Sequence, residues 1–210
     1  MKGTGMDSEA IREVLRVARR MDEKQLTNAY EGNVSVKRDG YLYITPSGKN
    51  KEWLTGEMIA VFDGQERQVA GVYPPSSELK MHAAMYGLRE DIGGVVHSHA
   101  PFLTAFAMCN MPFVSHAHAE LLWDHKEVEV LPYGRPGSED IYAGARDVLA
   151  KGKDIMLLSN HGVLTVGKTA YDALNKLESV ESAAKICVIS RLIGKENDLP
   201  ADEVEFLLNL

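Results

Sequence analysis

Three histidines in two short segments are the residues whose types and spacing point most directly to chemistry. His97 and His99 follow the apolar run 94–96, which is typical of the end of a buried strand. Because side chains two residues apart on a strand point to the same face, both imidazoles could bind one ion, at about 2.0–2.1 Å for zinc. His161, in the triplet 160–162, would add a third imidazole from a distant loop. Three protein ligands with an open fourth position are typical of a catalytic zinc site.

A structural role is the alternative interpretation of these histidines, since a single histidine near a strand end is usually a hydrogen-bonded part of the fold. The pair is harder to explain in this way, because two neighbouring buried imidazoles repel each other if both are protonated. His82 and His125 have no comparable spacing and are interpreted as ordinary side chains. His82 is expected on a helix, where it packs or faces solvent.

The segment 74–78, rich in proline and serine, ends in a glutamate and permits two interpretations. It is a good helix start, with a serine cap and Glu78 in the first turn. The same physics can make an anion site, because the hydroxyls of Ser76 and Ser77 would join free backbone N–H groups at the helix N-terminus. If Glu78 is turned towards a metal, its carboxylate could accept a proton.

Two loops that contain glycine are either simple turns or phosphate-binding loops. Gly32 and Gly48 tolerate positive φ angles, and Asn33 and Ser47 stand beside them. Small loops of this composition can expose backbone N–H groups to a phosphate. Neither loop has the glycine spacing of a P-loop or of a dinucleotide-binding turn.

The elements that must position these residues alternate between strands and helices. Apolar periodicity predicts helices at 8–22, 76–90, 101–108, 138–150, 169–193 and 201–209, and strands at 33–37, 41–45, 59–62, 93–97, 127–131, 155–158 and 163–166. Asp39-Gly40 between two alternating strands predicts a hairpin. Hairpins mixed with helices predict a layered α/β domain with a largely antiparallel sheet.

Composition excludes several classes of function. The chain has 210 residues, a net charge of −7 and no basic run, which argues against nucleic acid as a partner. No linker or low-complexity stretch divides it, so one domain over residues 1–210 is expected. Its two cysteines, Cys109 and Cys187, lie far apart, as is usual in a reducing cytosol. Without a long apolar run or a signal-peptide pattern, we expect a cytoplasmic protein with no membrane span.

Five motifs follow one another in a fixed order along the chain. They are Gly32-Asn33-Val34-Ser35, Ile44-Thr45-Pro46-Ser47-Gly48, Pro75-Ser76-Ser77-Glu78, His97-Ser98-His99 and Asn160-His161-Gly162. The ordered set resembles the class II aldolase/adducin family, from about Ala29 to Arg191. This resemblance implies a single three-layer α/β/α domain around a largely antiparallel central sheet. It also implies a homotetramer whose active sites lie near subunit interfaces.

The same resemblance implies a role for each matching residue. His97, His99 and His161 match the family's zinc ligands, and Glu78 matches its acid/base carboxylate, which also lies close to the metal in the resting enzyme. The loops that hold the substrate phosphate match Gly32, Asn33, Ser47, Gly48, Ser76 and Ser77. One Zn²⁺ per chain is expected, although Mn²⁺ or Co²⁺ also suit three imidazoles.

One stretch departs from the family's pattern. The fuculose-phosphate aldolases of the family have a tyrosine proton donor, contributed by a neighbouring subunit, in the loop after the histidine strand. Residues 115–120 contain no tyrosine here. Counting from the upstream side places His116 at that position, and counting back from Pro132-Tyr133 places His118 there. A histidine can act as the general acid or can merely line the pocket.

The resemblance implies a zinc-dependent aldolase that cleaves a ketose 1-phosphate, similar to L-fuculose 1-phosphate, into dihydroxyacetone phosphate and an aldehyde through an enediolate. A sugar-acid phosphate decarboxylase or a sugar-phosphate 4-epimerase would use the same metal site. The epimerase branch has aspartate in place of Glu78, which favours carbon–carbon bond cleavage here. The remaining alternative is a non-catalytic adducin-like scaffold, but such proteins lack the intact ligand set.

Overall fold

The computed structural model describes residues 7–210 of the chain. These residues group into two compact units. The first comprises the described residues up to Ser98 together with Val166–Leu174, and the second comprises His99–Thr165 together with Asn175–Leu210. The single domain expected over residues 1–210 stays a prediction.

The β-strands within residues 7–210 form one eight-stranded sheet. In chain order they are β1 (Asn33–Arg38), β2 (Tyr41–Ile44), β3 (Ala60–Phe62), β4 (Gln68–Ala70), β5 (Gly94–Ser98), β6 (Glu129–Leu131), β7 (Ile155–Leu158) and β8 (Gly162–Gly167). The order across the sheet is β4-β3-β2-β1-β5-β8-β7-β6. The pairs β1–β2, β1–β5, β2–β3, β3–β4 and β7–β8 are antiparallel, and β6–β7 is parallel. The predicted α/β fold class with a largely antiparallel sheet is therefore confirmed.

The helices take up much of the remaining chain. They are α1 (Ser8–Glu23), α2 (Leu79–Leu88), α3 (Pro101–Met108), α4 (Ala119–Asp124), α5 (Ala145–Ala150), α6 (Ala170–Ile193) and α7 (Ala201–Leu208). Short 3₁₀ turns occur at Gly56–Met58 and Glu139–Tyr142. None of the helices in the described part of the chain is long and apolar enough to cross a membrane.

In the first unit, a hairpin and its neighbouring strand bring two of the motifs together. Asp39 and Gly40 both have positive φ angles, 50° and 79°, as a tight two-residue turn between β1 and β2 requires. On its other side β1 pairs with β5, so that Asn33 lies opposite His97. The motif at the start of β1 therefore lies directly beside the histidine at the end of β5.

In the second unit, a buried carboxylate fixes the beginning of α3. Pro101 occupies the first turn, where its missing N–H is not needed. The two carboxylate oxygens of Glu181, on α6, accept hydrogen bonds from the backbone N–H groups of Phe102 and Leu103, each at 2.9 Å. Because these N–H groups have no partner within the helix, the carboxylate satisfies them and fixes the chain just after His99.

The structure corrects two predicted helices. The helix predicted at 76–90 begins only at Leu79, because the Ser76 carbonyl and hydroxyl close a turn that leaves Glu78 at the N-cap position. The helix predicted at 138–150 is divided into a 3₁₀ turn and α5. Gly144, with a φ angle of 91°, interrupts it. Two short elements, β4 and α4, were not predicted.

Candidate active site

The structure brings the three predicted metal ligands together. His97 is fully buried within β5, His99 follows directly after that strand, and His161 lies in the turn between β7 and β8. The nitrogen atoms that they can offer to an ion all lie within 4.8 Å of one another. The rings of His99 and His161 meet edge to face, with centroids 4.8 Å apart. Among residues 7–210 this is the single group of at least three potential ligands with such geometry.

The turn that carries His161 is fixed by hydrogen bonds within the second unit. Asn160 has a φ angle of 55°, in the left-handed region that asparagine tolerates better than most residues. Its backbone N–H donates to the Ala107 carbonyl at 3.0 Å, and the Ser159 hydroxyl donates to the Asn110 amide oxygen. Both contacts tie the turn to the end of α3, so the His161 backbone has a defined position.

Glu78 lies beside one of these histidines in the first unit. Its side chain is mostly buried, and its Oε2 atom accepts a hydrogen bond from the Asn33 amide nitrogen at 2.8 Å. The same oxygen is 3.2 Å from Nε2 of His97. A carboxylate in this place can lie next to a metal or exchange a proton with a substrate, which are the two roles that the family resemblance implies for Glu78.

A buried histidine that sequence reasoning treated as ordinary lies behind Glu78. His82 is fully buried, with Nε2 2.5 Å from the amide oxygen of Asn33 and Nδ1 2.7 Å from the Ser35 hydroxyl. The Ser35 hydroxyl is in turn 2.7 Å from the Tyr86 hydroxyl. Burial lowers the pKa of His82 to about 4, so this ring is neutral near pH 7.

The sequence held a signal for this cluster. Glu78, His82 and Tyr86 are spaced by four residues, which places them on one face of a helix. Asn33 and Ser35 are spaced by two, which places them on one face of a strand. A polar row on a helix and a polar row on a strand can contact each other if the two elements pack together.

Two of the three predicted phosphate loops of the first unit adjoin each other. Backbone hydrogen bonds of 3.0–3.1 Å join Ser47 to Pro74 and Ser76 to Thr45, so that the loops at 45–48 and 74–77 run side by side. The side chains of Ser47 and Ser77 are exposed, whereas that of Ser76 is buried and accepts the N–H of Glu78 at 3.2 Å.

The two glycines of the predicted phosphate loops both have positive φ angles, 74° for Gly32 and 62° for Gly48. At Gly32 a Cβ atom would lie 2.5 Å from the Thr27 hydroxyl oxygen and 3.2 Å from the His97 carbonyl oxygen. A larger residue there would have to displace the Thr27 side chain and would press against the end of β5. Gly48 has open space around it, so only its backbone conformation demands glycine.

His116 and His118 have different surroundings in the second unit. Helix α4 begins directly after His118, which caps it. The Nδ1 atom of His118 accepts the N–H of Leu121 at 3.3 Å, so in the neutral ring the proton is on Nε2. The side chain of His116 is exposed, and its carbonyl accepts the N–H of Leu199 at 3.0 Å.

Comparison with known proteins agrees with this site. Residues 12–188 match the profile of the class II aldolase and adducin N-terminal domain. The chain belongs to the class II aldolase and adducin family. Members with aldolase activity are metal-dependent, and the His97, His99 and His161 group could bind such a metal.

Individual members of the class II aldolase family resemble the chain over most of its length. It is 29% identical over 177 residues to an L-fuculose phosphate aldolase of Methanococcus vannielii, covering 84% of this chain and 94% of the relative. It is 31% identical over 197 residues to a 5-methylthioribulose-1-phosphate/5-deoxyribulose-1-phosphate aldolase of Rhodospirillum rubrum, covering 93% and 87%. A 3-oxo-tetronate 4-phosphate decarboxylase of Haemophilus influenzae is 30% identical over 182 residues, covering 82% and 84%.

A solved structure shows the same fold. An L-fuculose 1-phosphate aldolase is 30% identical to the chain and superposes with a TM-score of 0.86, covering 97% of this chain and 96% of that one. The comparisons therefore establish the fold and the family of the chain. The names of its relatives indicate an enzyme of sugar-phosphate metabolism.

Proposed function

We propose that this protein is a zinc-dependent aldolase that cleaves a small ketose 1-phosphate into dihydroxyacetone phosphate and an aldehyde through an enediolate. The observation that carries the proposal is the position of Glu78, a buried carboxylate whose Oε2 lies 3.2 Å from a nitrogen of His97 in the histidine group. A metal-binding group with an adjacent proton carrier is what this reaction needs.

The donor set fits a catalytic divalent ion. Three imidazoles from two segments of the chain leave further coordination positions for a ligand, which is typical of catalytic rather than structural zinc. His97, His99 and His161 would hold the ion, and when bound it would act as a Lewis acid for the negative charge of the enediolate. Zinc is proposed over Mn²⁺ or Co²⁺ because imidazole ligands suit it well, and metal analysis distinguishes the three.

Glu78 is proposed as the residue that carries a proton to or from C3 of the substrate. Cleavage of the C3–C4 bond leaves the electron pair on the enediolate, and C3 then takes up one proton. The mostly buried Glu78 side chain is screened from water, so its proton can be directed to one carbon. No lysine that forms a Schiff base is then required.

His118, or alternatively His116, is proposed to serve the oxygen that becomes the aldehyde carbonyl. The hydrogen bond from Leu121 to Nδ1 supports His118, because it leaves Nε2–H as a hydrogen-bond donor to the C4 oxygen while the proton of the C4 hydroxyl leaves to solvent. By analogy with the family resemblance, we propose that this group lies at a subunit interface of a homotetramer with shared active sites.

The phosphate of the substrate is proposed to bind at Gly32, Asn33, Ser47, Gly48, Ser76 and Ser77. Adjacent loops with exposed serine hydroxyls support this assignment. The Asn33 amide already contacts Glu78, so it would connect the phosphate loops with the proton carrier. Binding energy from the phosphate can then orient the reacting carbons. We further propose a cytoplasmic enzyme without a nucleic-acid partner.

Decarboxylation of a sugar-acid phosphate is the second candidate, since one relative at 30% identity is a 3-oxo-tetronate 4-phosphate decarboxylase. Epimerisation is less favoured because Glu78 replaces the aspartate of that branch. A non-catalytic scaffold is disfavoured by the intact histidine group.

A substrate panel tests the proposed function. Purified protein loaded with zinc would be incubated with ketose 1-phosphates, 3-oxo-acid phosphates and pentulose 5-phosphates, and triose phosphate, CO₂ and epimers would be measured. We expect dihydroxyacetone phosphate from a ketose 1-phosphate, at a rate roughly a hundredfold or more lower from the matched Glu78→Gln protein. Release of CO₂ or an epimer alone would replace the proposal with the corresponding alternative.

A further inference from the structure

A continuous row of buried hydrogen bonds leads to Glu78 from the interior of the first unit. It runs from Tyr86 through Ser35, His82 and Asn33, with donor–acceptor distances of 2.7, 2.7, 2.5 and 2.8 Å. All five residues are buried, and none of them, Tyr86 included, is more than 8% exposed. Burial of such a row destabilises the fold unless each polar group has a hydrogen-bond partner.

The charge of Glu78, at the end of the row, determines which group donates and which accepts in every hydrogen bond. An ionised carboxylate only accepts hydrogen bonds, so Asn33 must present its amide nitrogen to Glu78 and its amide oxygen to His82. The Nε2 atom of His82 must then carry the proton. Because the ring is neutral, Nδ1 accepts from Ser35, whose oxygen accepts in turn from Tyr86.

Without His82, the orientation of the Asn33 amide would no longer be fixed. An amide can rotate by 180° and exchange its oxygen and nitrogen, which would place the oxygen against the Glu78 carboxylate. A fixed N–H donor opposite Asn33 Oδ1 prevents this rotation. A hydrophobic residue in place of His82 would leave both amide orientations accessible and a buried polar atom unsatisfied.

We infer that His82 is a positioning residue for the proposed aldol reaction, holding the Asn33 amide in the one orientation that aligns the Glu78 carboxylate beside His97. The inference rests on the proposed function for the proton that Glu78 carries, and it assigns His82 no contact with substrate or metal. Misplacement of a catalytic group by about 1 Å can slow a reaction by roughly a hundredfold, so orientation alone is sufficient for a kinetic effect.

The tautomer of His82 provides a test that needs no activity. ¹⁵N NMR of protein labelled at histidine distinguishes a protonated from an unprotonated ring nitrogen. We expect His82 to carry its proton on Nε2 alone, both in the metal-free and in the zinc-loaded protein. A ring protonated on Nδ1, or a mixture of tautomers, would overturn the inference even if the enzyme cleaves a ketose 1-phosphate.

Kinetics test the consequence for Glu78. We expect His82→Leu to lower kcat for cleavage and the rate of C3 proton exchange by roughly tenfold to a hundredfold, with KM and zinc content unchanged. His82→Gln offers an N–H and a carbonyl in similar places, so we expect it to stay within roughly threefold of the wild type. Met85→Leu, a substitution of similar volume on the same helix, is the matched control and should leave kcat unchanged.

A second pair of variants keeps the test decisive if His82→Leu does not fold. Ser35→Ala removes the donor to His82 Nδ1 and is expected to lower kcat less than the loss of His82 itself. In a Glu78→Gln background, Ser35→Ala should cause no further loss, because both act through the same carboxylate. Additive losses, or a His82→Gln protein as slow as His82→Leu, would show that the row only stabilises the fold. If the wild type cleaves no ketose 1-phosphate, the proposed function fails, and the NMR result still decides the orientation of the row.

Discussion

The two candidate proton-transfer groups, Glu78 and His118, have very different surroundings. Glu78 is 8% exposed, and its Asn33 contact continues into a row of buried hydrogen bonds between β1 and α2. The side chain of His118 is 23% exposed and caps a helix of only six residues. Its neighbour Glu120, 3.5 Å from Nδ1, is itself 79% exposed and contributes little where water competes.

This contrast corresponds to the two halves of the proposed reaction. The dihydroxyacetone phosphate half is the same for every ketose 1-phosphate, so the group that serves C3 can be built permanently into the core. The aldehyde half differs between substrates, and a short helix and loop can change without disturbing the sheet. The departure from the family's tyrosine falls in that second, less constrained region.

Loss of a metal ligand is expected to have the largest effect. His97→Ala, His99→Ala and His161→Ala should each lower zinc content and reduce cleavage by roughly a thousandfold or more, because several kcal/mol of charge stabilisation are lost. Zinc per chain, measured by elemental analysis, should fall in parallel with activity. His125→Ala is the matched control. Full zinc occupancy in all three variants would show that these histidines are not the metal ligands.

Replacement of His118 should separate the two halves of the reaction. We expect His118→Phe to retain zinc but to lose cleavage by roughly a hundredfold, as is usual when a hydrogen-bond donor to a charge-bearing oxygen is removed. His116→Phe, whose side chain is exposed, serves as the matched comparison and should have a smaller effect. A larger loss for His116→Phe would exchange the roles of the two residues.

Mixing subunits sharpens the same prediction. Inactive Glu78→Gln and inactive His118→Phe proteins, unfolded and refolded together, should regain activity if each site combines residues of two chains. Mixed assemblies that form but stay inactive would contradict a shared site and leave both residues within one chain.

Acid should destabilise the fold through His82. The pKa of this histidine is about 4 in the folded protein against 6.5 for an ordinary histidine, because burial disfavours the charged ring. Between these values the unfolded chain binds a proton that the folded chain does not, so stability falls as pH drops from about 6.5 to about 4. The loss should be on the order of 3 kcal/mol. Urea unfolding of metal-free wild type and His82→Gln protein checks it, since the variant should lose less stability over this range.

A single phosphate-loop hydroxyl is expected to contribute least. Ser77→Ala should weaken binding of dihydroxyacetone phosphate by about 1–3 kcal/mol if a charge-assisted hydrogen bond is lost, and should leave binding of dihydroxyacetone unchanged. Isothermal titration with both ligands measures the difference. Ser138→Ala, a serine in a turn far along the chain, is the control. An equal effect on both ligands would argue against a phosphate contact.

The elements that carry the motifs could be predicted because their patterns are local. The hairpin at Asp39-Gly40, the strand that ends at His97 and the helix that begins at Pro101 each have a turn residue or an apolar run beside the motif. The start of α2 was placed three residues too early because Ser76 and Ser77 resemble a cap. The chain instead closes a turn on the Ser76 carbonyl before the helix begins.

The surroundings of the candidate site were harder to predict because they depend on pairing between distant segments. The rows of Asn33 with Ser35 and of Glu78 with His82 are visible in the sequence. Their contact, however, depends on β1 and α2 packing together across more than forty residues of chain. The short helix α4 has too few apolar positions for a period to be recognised, so the N-cap role of His118 was missed.

The measurement that tests the central claim most directly is exchange of the C3 proton of dihydroxyacetone phosphate with solvent deuterium, followed by NMR. Exchange needs the metal and the C3 proton carrier but no aldehyde. The account predicts exchange in the zinc-loaded wild type and in His118→Phe, and its loss, by roughly a hundredfold or more, in Glu78→Gln with zinc still bound. Undiminished exchange in Glu78→Gln would contradict the account, because Glu78 would then be only the residue that begins α2.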